Sequence, residues 1–314
     1  MPSTSYDFVQ SLNRNTLLED AYRVATILGD GQVLTGEKVE KGTRALNALL
    51  SSLSRRPRKK GEFVNVRKRV TLFLQKNQEK YSIGGSDHCA ETYYQTATTA
   101  LVAPTTTSIP VTSSASMTTG DVVGILLNTG YWEWNTITGK ADSTHYSIAA
   151  PGLVGTAASG ATVVNYTTAL TAPLEILTAV LRDTDENDSA IGLSMTLAQY
   201  EAIADKDAVG DPADAFVEYR RTTTDIWFDL AATDASKIVR MVVRMPFSDM
   251  DSATDTLDCT PAAYRALKYA LGVELAAENN KPVSAKLASL LNDAMAPFID
   301  DNPTSTDVYF QSGT

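Results

Sequence analysis

The chain is poor in the residues that build most metal and disulfide sites. Its 314 residues include only two cysteines and two histidines. Cys89 and Cys259 lie far apart without a CxxC motif, and His88 and His145 add too few ligands for a zinc site. Two reduced thiols are favoured, although spacing alone leaves a disulfide open. We expect no metal and no cofactor.

Common enzyme signatures are missing as well. The sequence contains no G-x-S-x-G, GxxxxGK[ST], GxGxxG or HExxH motif. Asp121 and Glu133 could imitate the carboxylate pair of a glycosidase. Chance pairs are expected among 37 acidic residues, however. We therefore predict no catalytic residue and a protein that is not an enzyme.

Long apolar runs and a positive net charge are also lacking. No segment approaches the ~20 apolar residues that span a bilayer. The first residues, Met1 to Asp7, lack the basic and apolar regions of a signal peptide. A net charge of −10 argues against general nucleic-acid binding, because phosphate contacts supply most of that affinity. We expect a protein made in the cytoplasm, with no membrane partner.

Hydrophobic periodicity predicts an α+β fold in four segments. Residues 1–96 hold a helical hairpin (16–54) and then a β-hairpin (61–94). Residues 97–168, rich in Thr, Ala and Ser and then in short β-branched runs between glycines, form an inserted all-β module. Residues 169–300 form a helical and mostly antiparallel β core, and residues 301–314 an extended C-terminal arm. Within the core we predict helices at 196–205, at 261–278 and after Pro282, and strands at 216–220, 226–230 and 238–245.

The helix 261–278 has an unusually wide apolar arc. Apolar residues cover more than half of its circumference, and Arg265, Lys268, Gly272 and Asn279 form the polar stripe. A surface helix needs an apolar stripe of only about 100°. Burial on two sides, one of them against a second subunit, and burial within one protomer are both open. Glu274 lies inside the arc and is expected to require a cationic partner.

Two further features suggest partner binding. A basic run in this acidic chain comprises Arg55, Arg56, Arg58, Lys59, Lys60, Arg67, Lys68 and Arg69. The basic run could pair with an acidic rim on a partner protein or contact phosphates. The alternative without a function in binding is a solvated loop. The C-terminal arm carries Val308, Tyr309 and Phe310, which could add a strand to a partner's sheet or fill a groove between subunits, whereas a frayed end is the alternative.

The order of several motifs resembles the head-to-tail adaptors of short-tailed bacteriophages. It comprises the N-terminal helical hairpin, Tyr81-Ser-Ile-Gly84, Pro173, Arg182, Tyr200-x5-Lys206-x3-Gly210-x-Pro212 and the helix from Pro261. Each motif is weakly specific, so the order carries the resemblance. The segment after Phe228 departs from it, since relatives often have a proline-containing turn there.

The resemblance implies a structural virion protein at the phage neck or tail. Such a protein forms a ring, expected here to have twelve copies, that docks under the portal protein, retains packaged DNA and gives tail proteins a platform. DNA would pass through its channel without specific binding. The alternative is a virion protein that binds or cleaves sugars through the β module. Trp132 and Trp134 could stack there on a sugar, although a core or interface position is favoured.

Overall fold

The helices and strands follow one another in an α+β order. The computed structural model describes residues 13–29, 31–55, 67–246, 249–255, 257 and 261–299. Helices in this part are α1 (Arg14–Val24), α2 (Gly36–Arg55), α3 (Leu197–Glu201), α4 (Pro261–Glu278) and α5 (Ala285–Ile299). Its strands are β1 (Arg67–Phe73), β2 (Lys80–Ile83), β3 (Cys89–Ala90), β4 (Tyr94–Ala97), β5 (Ser108–Pro110), β6 (Val122–Leu126), β7 (Trp132–Lys140), β8 (His145–Ile148), β9 (Thr162–Tyr166), β10 (Glu175–Arg182), β11 (Asp188–Ile191), β12 (Val209–Gly210), β13 (Ala215–Tyr219), β14 (Thr224–Phe228), β15 (Ala231–Ala232) and β16 (Ile238–Arg244).

The chain divides into a helical unit built from both of its ends and a β-rich unit built from its middle. The first unit combines Met1–Val66 with Pro246–Thr314, and the second is Arg67–Met245. Helices α1, α2, α4 and α5 belong to the first unit, and α3 and the strands to the second. The predicted α+β class is confirmed. The four segment boundaries remain a prediction.

Helix α4 is the centre of the helical unit. It packs against α1, α2 and α5. Its fully buried residues are Ala263, Ala266, Leu267, Leu271 and Leu275. Each fully buried leucine contributes roughly 1.5–3 kcal/mol relative to an exposed one. Helices of the same unit therefore cover much of the apolar arc, while Val273 is half-buried and Ala277 is exposed.

Gly272 does not lie on a polar stripe, contrary to the sequence-based prediction. It is buried, and a Cβ at this position would lie 2.8 Å from Val24 Cγ2 and 3.3 Å from the Ala21 carbonyl oxygen. The missing side chain thus allows α1 and α4 to approach closely. Glycine inside a helix lowers helix stability by about 1 kcal/mol relative to alanine. The close packing of α1 against α4 offsets this loss.

A five-stranded sheet forms the first layer of the β-rich unit, in the order β11-β10-β16-β1-β3. Strand β1 pairs antiparallel with β16 over seven residues, from Arg67 opposite Arg244 to Phe73 opposite Ile238. Strand β2 instead joins a three-stranded sheet, in the order β13-β14-β2. The predicted hairpin between β1 and β2 is therefore wrong, because each strand finds a partner far away in sequence.

The six strands β4 to β9 form a separate sheet in the order β4-β9-β6-β7-β8-β5. Its interior holds Val123, Ile125, Tyr146 and Val163. A second cluster joins this sheet to the five-stranded one and includes Phe73, Trp132 and Tyr166. Gly124 stands opposite Trp134, and a Cβ there would lie 2.5 Å from the indole ring. The glycine therefore makes room for the tryptophan.

Candidate partner-binding face

The two faces of the five-stranded sheet differ in polarity. Side chains alternate between the faces of a strand. On β1, Val70 and Leu72 are buried, and on β16 so are Val239, Met241 and Val243. These residues belong to one apolar cluster. The residues between them point to the opposite face, which carries the arginines of the two strands.

Four arginines share the outer face of the sheet. We call this set the arginine face: Arg67, Arg69, Arg240 and Arg244. Register places Arg67 opposite Arg244 and Thr71 opposite Arg240, so the side chains from both strands project to the same side. Arg67 and Arg69 are exposed, and Arg240 and Arg244 are half-buried.

Carboxylates on neighbouring strands act on two members of the arginine face, Glu175 on Arg244 and Asp188 on Arg240. Arg244 forms an ion pair with Glu175, which stands opposite it on β10. Further along the same face, β10 contributes Thr178 and Val180, which are uncharged. Like charges directly opposite each other destabilise a sheet. A guanidinium group can pair with a carboxylate through two hydrogen bonds, so these two carboxylates offset part of the like-charge repulsion on this face.

Sequence analysis found only part of this surface. It named Arg67 and Arg69 within the basic run and missed Arg240 and Arg244, because pairing between β1 and β16 cannot be read from one strand. On β16, the charged Arg240 and Arg244 alternate with Val239, Met241 and Val243. This alternation in the sequence indicates a strand with a charged outer face. Lys68 points to the other face and pairs with Glu91 at 2.6 Å, so the fold separates it from its two neighbours.

An acidic turn, residues 183–188, joins β10 to β11 at the end of the sheet away from Arg67 and Arg244. The Asp183 carboxylate accepts hydrogen bonds from the backbone amides of Asp185 and Asn187, at 2.9 Å each, and from the Asn187 side chain at 3.1 Å. These bonds, led by the Asn187 side chain, lower the pKa of Asp183. Asp188 forms two 2.7 Å bonds with Arg182. The turn is thus a defined structure, and Asp185 and Glu186 are exposed at its tip.

Glu274 lies half-buried on α4. Burial, and then the charge of Glu278, raise the pKa of its carboxyl group. Within the described part of the chain it forms no ion pair, so the cationic partner expected from the sequence is not found in the same protomer there. A partner supplied by another molecule remains a prediction.

Most other predicted contact residues lie outside the described residues. Arg55 ends α2, but its side chain belongs to this group together with Arg56, Arg58, Lys59 and Lys60. The same holds for Val308, Tyr309 and Phe310 of the C-terminal arm and for Cys259. Their predicted roles stay predictions.

The Tyr200-to-Pro212 motif forms a compact corner of the β-rich unit. Lys206 Nζ lies 4.6 Å from the centroid of the Tyr200 ring and 2.9 Å from Glu201 Oε2. Val209 and Gly210 then pair with Ala231 and Ala232. This corner borders a cleft of about 480 Å³, lined by Asn77, Gln78, Glu79, Lys80, Lys206, Asp207, Val209 and Ala231. Both lysines of the cleft pair with carboxylates, Lys80 with Asp225 and Lys206 with Glu201. Within the described residues, these contacts of the motif hold the corner together.

The tryptophans of the six-stranded sheet form a core. Trp132 is 5% exposed and its Nε1 donates to the Ala235 carbonyl oxygen at 2.7 Å. The Trp132 and Trp134 ring centroids are 5.6 Å apart, so the two rings share one face as predicted. Sugar stacking needs an accessible ring, and Trp132 offers none. Trp134 is half-buried and stacks on His88, so the sugar-binding alternative loses Trp132 as a stacking surface and otherwise stays a prediction.

The candidate glycosidase carboxylates are used for structure. Asp121 is 1% exposed and accepts from the Thr118 amide and from Asn165 Nδ2. Glu133 accepts from the amides of Val154 and Gly155. Each carboxylate thus holds a loop or a strand in place. In the described residues no group of three His, Cys, Asp or Glu side chains could hold a metal ion. No helix among them has the length and apolar character needed to cross a bilayer.

Comparison with known proteins gives little. No protein-family model matches the chain, and no curated protein does. Among solved structures, VP17, a capsid protein of bacteriophage P23-77, is 8% identical; the alignment covers 59% of this chain and 76% of that chain, with a TM-score of 0.12. A score of this size does not establish a common fold.

Proposed function

We propose that this protein is a structural subunit of a bacteriophage virion, a head-to-tail adaptor at the neck or tail. The adaptor subunits form a ring, twelve-fold by the resemblance, that docks under the portal protein, retains packaged DNA and presents a platform to tail proteins. Assembly is the proposed role, with no catalysis and no specific DNA binding.

One structural observation supports this proposal above the others. The motif order that resembles the adaptors covers both ends of the chain, and the two ends contribute helices to one unit: α1 and α2 from the first, α4 and α5 from the last. Helix α4 packs against three other helices, α1, α2 and α5. Such close packing makes the helical unit rigid, as the subunit of a ring requires.

Docking on the portal is assigned to the basic run. Charged rims typically set partner choice and association rate, and their effect falls with ionic strength. Reversing Arg55, Arg56 and Arg58 to glutamate should therefore abolish attachment to purified portal rings. The matched control reverses Lys140, Lys281 and Lys286, which are exposed and change the net charge equally.

The experiment measures co-sedimentation of each variant with portal rings, together with its circular dichroism and urea midpoint. The proposal requires that the basic-run variant be folded and unattached while the control attaches. Normal attachment of the folded basic-run variant would overturn this assignment.

The C-terminal arm is assigned to docking as well. An arm that becomes ordered on binding is protected from proteases only in the assembled state. Limited proteolysis should cleave residues 302–314 in the free protein and spare them in the portal complex. Equal cleavage in both states would remove the arm from the proposal.

A further inference from the structure

The sheet of strands β4 to β9 closes into a barrel. Its outer strands are β4 and β5, and an antiparallel bridge between Thr98 and Val111 joins the residues that follow them. At this bridge the Thr112 amide donates to the Ala97 carbonyl oxygen at 2.9 Å. The closed sheet encloses the apolar cluster of the module, as side chains fill the interior of a small barrel.

Two polar side chains point into this interior. Side chains alternate along a strand, so Asp121 lies on the same face as Val123, two residues further on. Asn165 in the same way shares a face with Val163, and both valines belong to the enclosed cluster. Asp121 is 1% exposed and Asn165 is 2% exposed. Their side chains are in contact, with Asn165 Nδ2 donating to Asp121 Oδ2 at 2.9 Å.

Three buried oxygen atoms of the barrel lack a hydrogen bond within the described part of the chain. They are Asp121 Oδ1, Asn165 Oδ1 and Tyr146 Oη. Tyr146 is fully buried and belongs to the same enclosed cluster. The donor set is therefore one carboxylate, one amide oxygen and one phenol.

Strand register places these residues at one end of the barrel. Asn165 stands opposite Val123, two residues from Asp121. The Ile137 amide donates to the Asp121 carbonyl oxygen at 2.9 Å. Strand β7 continues from Ile137 to its last residue, which stands opposite Tyr146. Residues 118–120 are exposed, so an exposed loop lies between this end and solvent.

Such a set of atoms destabilises a folded protein unless a ligand completes it. A buried polar atom without a partner lowers stability, and a buried carboxylate is normally paired with a cation or coordinates a metal ion. Asp121 forms no ion pair with any residue that the structure describes. Carboxylate and neutral oxygen atoms without nitrogen or sulfur are the ligands that hard cations prefer.

We propose that this end of the barrel binds a calcium ion through Asp121, Asn165 and Tyr146. Calcium takes about six to eight oxygen ligands, and main-chain carbonyls and waters commonly complete the set. The Ser116 carbonyl oxygen is a candidate, because it lies 3.3 Å from Asn165 Nδ2. With one carboxylate, the affinity belongs to the weak class of calcium sites, with a Kd of roughly 0.1–1 mM.

The proposed site differs from the metal sites that the sequence argues against. The expectation of no metal came from the scarcity of cysteine and histidine, and calcium needs neither. Magnesium requires a near-ideal octahedron and gives up its waters reluctantly, so enclosed neutral oxygens suit it less well than calcium.

Asp121→Asn in the full-length protein tests the site. The new amide keeps the size of the side chain and can donate to Asn165 Oδ1, so the variant should fold while losing the charge that holds the ion. Asp142→Asn, an exposed change in the same module, is the matched control. Circular dichroism in urea, with a chelator and then with calcium or magnesium, measures the midpoint of each protein.

Calcium at about ten times its Kd should raise the midpoint of wild type and of Asp142→Asn and leave that of Asp121→Asn unchanged. Terbium luminescence excited through tyrosine should report binding that calcium competes away. Its affinity should fall about a hundredfold in Asp121→Asn, since loss of a second-shell partner alone costs about 10–100-fold.

Tyr146→Phe is a second variant, which removes only the hydroxyl group. Because that hydroxyl has no hydrogen-bond partner among the described residues, the variant should be at least as stable as wild type in chelator and should gain less from calcium. An equal gain would remove Tyr146 from the ligand set and contradict the proposal as stated.

Three results would overturn the calcium site as a whole. They are a wild-type midpoint that calcium leaves unchanged, an equal effect of magnesium, and an equal effect of calcium on Asp121→Asn. Water molecules would then satisfy the three oxygens. The experiment uses this protein alone, so its outcome is independent of portal attachment.

Discussion

The imidazole of His88 stacks on the indole of Trp134, with ring centroids 3.7 Å apart and planes inclined by 12°. His88 Nδ1 lies 2.6 Å from the Tyr166 hydroxyl. Burial raises the pKa of that phenol well above its usual range, so it stays protonated and can donate to the nitrogen. Burial also lowers the pKa of His88 to about 4, against a weaker opposing effect of Asp87. A neutral histidine is therefore part of the aromatic core.

Stability should fall between pH 6.5 and 4 because of His88. An unfolded histidine has a pKa of about 6.5 and binds a proton in this range, whereas the folded one does not. Its contribution is fully present above pH 6.5 and is lost as pH falls toward 4. Urea unfolding at pH 7.5 and 5.0 should show a smaller loss for His88→Gln than for wild type. His145→Gln leaves His88 in place and should keep the wild-type loss; equal losses in all three proteins would contradict the prediction.

Trp132→Ala should destabilise the β-rich unit by about 3–5 kcal/mol, because it removes a large buried ring and the hydrogen bond to Ala235. Tyr131→Ala, at the neighbouring position and 40% exposed, should cost about 1 kcal/mol or less. Urea unfolding followed by circular dichroism measures both. Folded wild type should not bind soluble cell-wall fragments, and saturable binding that Trp132→Phe abolishes would restore the sugar-binding alternative.

Gly272→Leu should cost about 1–3 kcal/mol of unfolding free energy, because the new side chain would push α1 away from α4. The matched control is Ala277→Leu on the exposed side of the same helix, with an expected change within about 0.5 kcal/mol. Chemical denaturation compares the two. Equal midpoints would mean that α1 moves without cost and that the close approach at Gly272 is not a constraint.

Glu274→Gln should raise the urea midpoint of the free protein at pH 7.5. The pKa of this carboxyl is raised on folding, so its charged form is disfavoured in the folded state. That penalty is present above the folded pKa and disappears below the unfolded one, which for glutamate is about 4.3. The gain should therefore vanish near pH 4. Glu40→Gln on the exposed side of α2 serves as the control and should change the midpoint little at either pH.

The same variant addresses the expected contact of α4 with a neighbour. If a cation of a second subunit pairs with Glu274, then Glu274→Gln stabilises the free protein and weakens the assembled ring. Sedimentation of wild type and variant in parallel measures this. If the variant assembles as well as wild type, Glu274 has no partner in a second subunit and only destabilises its own protomer.

Sequence patterns predicted the positions of helices and strands better than the pairing and packing between them. The bounds of α4 agree with the prediction because Pro261 suits a first turn and the run of Ala and Leu is strongly helical. The strands at 216–220, 226–230 and 238–245 are found within two residues of their predicted ends. Local propensity is enough for such elements, since it depends on near neighbours.

Long-range features could not be predicted from the same patterns. Alternation marks β1 as a strand, but nothing in it specifies β16 as its partner, and the arginine face arises only from that pairing. Gly272 was misassigned for a related reason: a residue without a side chain carries no polarity, and only the packing of α1 shows which side it faces.

The pairing of β1 with β16 has a consequence for the architecture of the chain. Arg67, where the β-rich unit begins, stands opposite Arg244, next to its end. Such opposed residues have Cα atoms about 4.5–5.5 Å apart. The chain thus passes into this unit and out of it at adjacent points, as in a domain inserted into a host loop.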